Sequence, residues 1–138
     1  MTSNLKRIAK AVIETARQTV RCPPDMEYAI VFVGDAKMRA LNRQYRGKDQ
    51  TTNVLAFAGL GDIFISLPEA KREAKKYGWT LQYAIARLAL HGFLHLLGYA
   101  HEKEKEAKVM ENIEKKILQP LSLRGLRSRS EDVAIPTP

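Results

Sequence analysis

The chain has 138 residues, which is enough for one domain and too few for a second full hydrophobic core. Apolar residues make up 45% of it and charged residues 28%, a composition that argues against a wholly disordered chain. The longest apolar run, residues 88–100, is too short to span a membrane and is interrupted by two histidines. The single cysteine, Cys22, excludes an internal disulfide framework, and with no secretory apolar segment we expect a cytoplasmic protein.

The chain is strongly basic. Lysine and arginine outnumber aspartate and glutamate by 23 to 15, which gives a formal net charge of +8 at pH 7. An excess of this size favours a polyanionic partner such as RNA, because each phosphate contact releases condensed counterions. A soluble protein that is merely basic fits the charge equally well. The charge alone therefore does not distinguish an RNA-binding protein from a basic protein without such a partner, and the sequence motifs are needed.

The first third of the chain predicts a helix, a strand and a second helix. Residues 3–20 carry a core-facing apolar stripe at helical spacing, and the Pro-Pro pair that follows ends the helix. Residues 28–33 form an apolar, β-branched run, which predicts a strand buried on both faces. Asp35 is expected to cap a second helix over residues 35–46.

The middle of the chain predicts a hairpin followed by a short helix. Residues 53–57 and 63–65 read as two strands, and the glycine-containing segment between them indicates an antiparallel connection. Pro68 lies in the first turn of a short basic helix that stops at Gly78.

Two further helices follow. Thr80 is expected to cap a helix that is apolar nearly all round as far as Leu97, and Gly98 supplies its left-handed stop. Such a helix should be the buried centre of the fold. A last helix over about residues 102–118 has four residues expected to face inward: Val109, Met110, Ile113 and Ile117.

This order of elements predicts an α+β fold. We expect a small mixed sheet of about three strands, hairpin included, packed by helices around the buried central helix. One domain should cover residues 1–120, and the composition of residues 121–138 indicates a flexible tail.

All three histidines lie within eleven residues. His91 and His95 are four apart on the central helix, so both rings project from one face and can reach one metal ion. After Gly98 the chain can turn back and bring His101 to the same ion. Three imidazoles with an open water position are typical of catalytic zinc, which lowers the pKa of its water toward ~7, although nickel, copper and iron also accept these ligands. A lone buried histidine is usually a satisfied core residue, but this clustering favours a metal site.

The residue after the first histidine separates this motif from the best-known helical zinc motif. In H-E-x-x-H a glutamate acts as the general base of a metallopeptidase, whereas Gly92 occupies that position here. The glycine and the basic charge therefore argue against a hydrolase of peptides or small molecules.

Four segments together resemble the YbeY family of metal-dependent endoribonucleases. HGFLHLLGYAH at 91–101 is similar to the family signature HGxLHLxGYDH. In the same order, LNRQYRGKD at 41–49 resembles LNxxYRxKD, TNVLAF at 52–57 resembles TDVLSF, and GDIFIS at 61–66 resembles GDIxIS. The similarity runs over about residues 27–118.

The resemblance implies a single-strand-specific endoribonuclease that acts in ribosomal RNA processing and ribosome maturation. It implies one zinc ion, Zn²⁺, held by His91, His95 and His101, with Arg46 as the functional arginine of the cleft. The implied partners are single-stranded RNA, ribosomal RNA and the small ribosomal subunit.

The residues themselves suggest where RNA would bind. Arg39 and Arg43 share a helix face with Arg46 and are either RNA contacts or a solvated face. Arg46, where the helix gives way to a loop, can offer a bidentate fork to phosphate, and Lys48 follows it. Trp79 and Tyr99 could stack on bases, but each follows a glycine, and packing is favoured for both.

Two departures from the family pattern keep an alternative open. Ala100 and Asn53 stand where the family has aspartate, and a lost carboxylate beside a metal ligand typically costs 10–100-fold in affinity or activity. The alternative is a ribosome-associated RNA-binding or assembly factor that keeps a structural metal and cleaves weakly or not at all.

Overall fold

The computed structural model describes residues 2–23, 25–57, 59, 61–99 and 104–123. Residues 122 and 123 are described by their backbone alone. The described residues form five helices and three strands, in the order expected for an α+β fold. None of the described helices has the length and apolarity needed to cross a membrane. The elements are α1 Thr2–Thr19, β1 Ala29–Val33, α2 Asp35–Arg46, β2 Val54–Ala56, β3 Asp62–Ser66, α3 Leu67–Tyr77, α4 Leu81–Leu96 and α5 Glu104–Leu123.

The three strands form one mixed sheet in the order β1-β3-β2. β1 runs parallel to β3, with Ile30 in register with Ile63. β2 runs antiparallel to β3, with Leu55 opposite Phe64, so the predicted hairpin is confirmed. β2 is therefore an edge strand, and its outer side is available to form one wall of a cleft.

The expected burial of β1 on both faces is wrong. β1 lies at the sheet edge, and of its five residues only Ile30 is buried. The central position belongs to β3, where Ile63, Ile65 and Ser66 are fully buried. An unbroken apolar run does not distinguish a central strand from an edge strand that helices cover only in part, and three strands leave one interior position.

The expected capping role of Asp35 is also wrong. Gly34 is the N-cap of α2, and Asp35 is the first residue of the helix. The Asp35 carboxylate instead accepts two hydrogen bonds from the guanidinium of Arg72 on α3, at 2.8 and 3.1 Å. These hydrogen bonds hold the pKa of Asp35 below its usual value, so a charged pair ties α2 to α3.

α4 is the centre of the fold, as its composition predicts. It packs against α1, α3, α5 and two strands of the sheet, and most of its residues are buried. The Thr80 hydroxyl accepts a hydrogen bond from the Tyr83 backbone N–H at its start, and Gly98 follows its end with φ of 97°. Burial against these neighbouring elements fixes the position of the histidine-bearing helix, and the face with Arg87, His91 and His95 is only partly buried.

α5 differs from the prediction in length and in facing. It continues past Pro120 to Leu123; the missing proline N–H falls in the last turns, where its loss disturbs the helix little. Val109, expected to face inward, is 47% exposed, whereas Met110 and Ile117 are buried. Ile113 is partly buried and packs against the core, so three of the four expected residues do face inward. The predicted tail beyond Leu123 lies outside the described residues.

Gly92 marks the point where α4 lies closest to the sheet. A Cβ atom built on Gly92 would lie 2.6 Å from Cγ2 of Ile63 and 3.1 Å from Cγ2 of Val54. Both neighbours are β-branched strand residues whose γ-methyls cannot swing away without moving the backbone. The absent side chain therefore sets the distance between α4 and strands β2 and β3.

Replacing Gly92 by alanine should destabilise the protein, although alanine is the better helix former. Overpacking costs about 1–3 kcal/mol and outweighs a gain in helix propensity of about 1 kcal/mol. We expect the free energy of unfolding, measured by urea denaturation, to fall by about 1–2 kcal/mol. Gly34→Ala is the matched control: its added Cβ meets nothing within 4 Å, and it should cost less than about 1 kcal/mol. A stabilised Gly92→Ala protein would contradict the close approach.

Candidate active site

A cleft lies between the edge strand β2 and the C-terminal half of α4. It encloses a cavity of about 710 Å³. The end of α2, the loop after it, β2 and α4 all contribute, so segments far apart in the sequence meet in one place. The lining residues are Arg46, Lys48, Thr52, Asn53, Val54, Leu55, Ala56, Phe57, His91, Gly92 and His95.

The rings of His91 and His95 face each other in this cleft. Their Nε2 atoms are 3.2 Å apart, and the ring centroids are 4.7 Å apart with the planes inclined at 74°. A spacing of four residues on a helix predicts neighbouring side chains, and here the ring nitrogens converge as well.

Glu114 on α5 holds the ring of His91. Its Oε2 lies 2.7 Å from Nδ1 of His91, and both side chains are mostly buried, at 19% and 25% exposure. With Nδ1–H donating to the carboxylate, Nε2 of His91 keeps its lone pair directed into the cleft. Sequence reasoning missed Glu114. A signal was present, because Glu114 lies four residues after buried Met110 and three before buried Ile117, on the core-facing stripe of α5.

The histidine pair fits two positions of a zinc site. Two nitrogen ligands at 2.0–2.1 Å from a tetrahedral zinc ion lie about 3.3 Å apart, close to the 3.2 Å that separates the two Nε2 atoms. A carboxylate on the far nitrogen of a ligand histidine is also the usual support of such a site. In the part of the chain that the structure describes, no group of three candidate metal ligands comes together. His101 lies outside the described residues, so the third ligand stays a prediction.

Arg46 and Lys48 bring positive charge to the same cleft. α2 ends at Arg46, and Gly47 takes the left-handed conformation with φ of 70°. The backbone N–H groups of Gly47 and Lys48 donate to carbonyls of the last turn of α2, which fixes the turn. Among the described residues neither Arg46 nor Lys48 forms an ion pair, so both charges remain available to an anionic ligand.

Arg39 and Arg43, the other two predicted RNA contacts, lie against Asp49. Arg39 donates to both Asp49 carboxylate oxygens, at 2.8 and 3.0 Å, and Arg43 Nη1 is 3.9 Å from Oδ1. The hydrogen bonds from Arg39 hold the pKa of Asp49 below its usual value, so this pair stays charged. The structure thus brings Arg46 and Lys48 together with the histidines, whereas Arg39 lines a separate cavity beside Asp35 and Thr51.

Gly92 explains why the cleft has no peptidase-type glutamate. Position 92 faces Ile63 and Val54 of the sheet at a distance that excludes even a methyl group. A glutamate there would have to push β2 away from α4 and open the wall of the cleft. The packing of the sheet therefore accounts for the departure from H-E-x-x-H.

The packing around Asn53 explains another departure. The Asn53 side-chain amide lines the cleft and donates a hydrogen bond of 2.9 Å to Oε2 of Glu73 on α3. Oε1 of Glu73 is buried without a hydrogen-bond partner among the described residues. An aspartate at position 53 would put a second carboxylate against the first, so asparagine and Glu73 suit each other.

The fold and the cleft define an α+β protein with a carboxylate-supported histidine pair beside unpaired basic side chains. Comparison with known proteins names the family. The chain belongs to the endoribonuclease YbeY family, whose profile matches residues 1–122.

Relatives agree with this assignment, and a solved structure shares the fold. The chain is 38% identical to an endoribonuclease YbeY of Geobacillus sp. over 89% of this chain and 90% of the relative. It is 46% identical to that of Pelotomaculum thermopropionicum over 72% and 74% of the two chains. The fold is similar to the solution structure of a Thermotoga maritima protein, with a TM-score of 0.57 and 26% identity over 85% of this chain and 78% of the other.

Replacing Asn53 by aspartate tests the pairing with Glu73. The variant loses a donor to a buried carboxylate and gains a like charge. We therefore expect its free energy of unfolding at about pH 8 to be lower by about 1–3 kcal/mol. Asn53→Ala is the control, because it removes the donor without adding charge, and its loss should be smaller. A loss in Asn53→Asp no larger than that in Asn53→Ala would refute this account of position 53.

Proposed function

We propose that this protein is a metal-dependent, single-strand-specific endoribonuclease that acts in ribosomal RNA processing and ribosome maturation. One observation carries the proposal: a histidine pair supported by Glu114 opens into the same cleft as the unpaired Arg46 and Lys48. Membership of the endoribonuclease YbeY family supports cleavage of RNA, and the net charge of +8 suits a large polyanionic substrate.

His91, His95 and His101 would hold one zinc ion. Zinc, when bound, supplies a Lewis acid that lowers the pKa of a coordinated water toward ~7 and polarises a phosphoryl oxygen. Glu114 serves this site by fixing the tautomer and the orientation of the His91 ring. Although Ala100 lacks a carboxylate, Glu114 still places one against the far nitrogen of a histidine in this site.

Arg46 and Lys48 would bind the phosphodiester. The guanidinium of Arg46 can donate two parallel hydrogen bonds to non-bridging phosphate oxygens, and Lys48 adds a compact charge next to it. Donors placed at these oxygens stabilise the charge that grows there as the bond to the leaving oxygen breaks. The two residues thus hold the phosphate against the histidine side of the cleft.

An aromatic pair at the rim supports a preference for single strands. Phe57 lines the cavity, and its ring centroid is 4.8 Å from that of Tyr45, which is 47% exposed. An unpaired base can splay out and stack on such a surface, whereas a base inside a duplex cannot reach it. The cleft therefore favours unpaired nucleotides next to the bound phosphate.

The binding or assembly factor remains the second candidate, and Ala100 is the residue that favours it. Asn53, the other departure, has a structural partner in Glu73 and need not signal lost activity. Ala100 precedes the third predicted ligand and lies outside the described residues. A factor of this kind would bind RNA with the same residues and leave it uncut.

Cleavage of end-labelled single-stranded ribosomal RNA fragments by untagged protein tests the proposal. We expect chelation to abolish cleavage and zinc to restore it, His95→Ala to be inactive, and Arg46→Ala to lower kcat about 10²–10³-fold. Lys10→Ala on α1 is the matched control, since it removes one exposed positive charge from outside the cleft.

Two results would count against the nuclease. Cleavage that persists at the parental rate in His95→Ala and in chelator would refute a metal-dependent mechanism at this cleft. RNA bound but uncut by the zinc-loaded parent, together with cleavage by Ala100→Asp, would favour the assembly factor.

A further inference from the structure

An exposed aromatic stack lies where α3 passes into α4. The rings of Tyr77 and Trp79 are stacked, with centroids 4.8 Å apart and planes inclined at 29°. Tyr77 is 53% exposed, although tyrosine is a large side chain. Trp79 is half-buried and packs edge-on against Tyr83 at 5.2 Å. The stack is thus anchored to the core at one end and presented to solvent at the other.

Two cations lie over these rings. Nζ of Lys76 is 5.4 Å from the Tyr77 centroid, and Cζ of Arg87 is 5.3 Å from the Trp79 centroid. Both distances are within the range of a cation–π contact. We refer to Lys76, Tyr77, Trp79 and Arg87 as the cation–aromatic strip.

The strip continues the face of α4 that carries the histidines. Arg87, His91 and His95 follow one another at intervals of four residues, so their side chains project from the same side of the helix. A second contact agrees with this placement: Glu73, one turn before Tyr77 on α3, accepts the hydrogen bond of the cleft residue Asn53. A strand of RNA that leaves the cleft along α4 would therefore meet the strip.

Charge around the strip is positive. Lys71, Lys75 and Lys76 are exposed on α3, and in the described residues none of them, nor Arg87, forms an ion pair. The acidic residues of α3 are already engaged, Glu69 with Arg72 and Glu73 with Asn53. The cations of the strip are thus available to phosphates.

Core packing alone does not account for this arrangement. The sequence favours packing for both Trp79 and Tyr99, and the half-buried Tyr99 packs against the core as expected. Trp79 packs against Tyr83, whereas Tyr77, whose ring is stacked on Trp79, is more than half exposed. Stacked aromatic rings with adjacent unpaired cations are typical of surfaces that bind single-stranded nucleic acid.

We propose that the cation–aromatic strip is a second binding site for single-stranded RNA, which holds nucleotides next to those in the cleft. The inference rests on the proposed function for its substrate class. A base stacks on Tyr77, the flexible side chain of Lys76 moves from the ring to a phosphate, and Arg87 contacts the neighbouring phosphate.

Trp79 reports on this site directly, because it is the single tryptophan of the chain. We would titrate the full-length His95→Ala protein with a single-stranded oligouridylate and record tryptophan fluorescence, together with the anisotropy of labelled RNA. RNA should quench Trp79, and an RNA duplex of equal length should not. Adding Arg46→Ala should weaken RNA binding in the cleft, but the quench at saturating RNA should stay in place, since the strip lies outside the cleft.

Variants of the strip should weaken this binding. Tyr77→Ala removes one stacking surface and should lower the affinity at least about fivefold. Lys76→Glu should lower it more than Lys10→Glu, which makes the same change in net charge on α1. Loss of one phosphate contact should also reduce the slope of log affinity against log salt by about 0.7.

The outcomes separate this inference from the proposed function. If labelled RNA binds and the parent cleaves it, but Trp79 emission and the affinities of Tyr77→Ala and Lys76→Glu stay unchanged, the strip is overturned and the nuclease stands. In that case the cation–aromatic strip would instead be a binding surface for a protein partner. If the strip variants bind RNA more weakly while the zinc-loaded parent never cleaves it, the strip is upheld and the nuclease fails.

Discussion

The close approach of α4 to the sheet at Gly92 is the constraint on which the rest of the structure depends. Most residues of α4 are buried against other elements, and the missing side chain lets strands β2 and β3 lie directly on it. Since His91 precedes Gly92 and His95 follows it by three residues, the same packing that positions the sheet aims both rings along the edge of β2. The cleft is therefore a consequence of how the core packs, and a side chain at position 92 would disturb both.

Neighbouring helices complete the site through polar contacts. α5 supplies Glu114 to the ring of His91, and α3 supplies Glu73 to the amide of Asn53. These contacts give physical reasons for two features that the sequence leaves open, namely what orients the His91 ring and why position 53 is an amide. The charged pairs of Arg72 with Asp35 and of Arg39 with Asp49 secure α2 beside them, so that Arg46 and Lys48 reach the cleft from a fixed turn.

Much of this could be predicted from the sequence, and the failures have physical causes. Helical spacing and composition predicted α4, its cap and its paired histidines, because local periodicity determines them. Glu114 and the pairing of Arg39 with Asp49 were missed because they join segments distant in the chain or depend on where a long side chain turns. β1 was wrongly expected to be buried on both faces because an apolar run does not distinguish a central strand from a partly covered edge strand. Val109 was wrongly expected to face inward because an apolar residue at the border of a helix stripe can face either the core or solvent.

The central claim is that His91 and His95 bind a common metal ion in the cleft. The most direct measurement is anomalous X-ray diffraction at the zinc absorption edge, from crystals of the untagged full chain grown with zinc. The account predicts one strong peak about 2.0–2.1 Å from Nε2 of both rings, with Glu114 still bonded to Nδ1 of His91. Zinc found only at other sites, with the two Nε2 atoms turned away from each other, would contradict it.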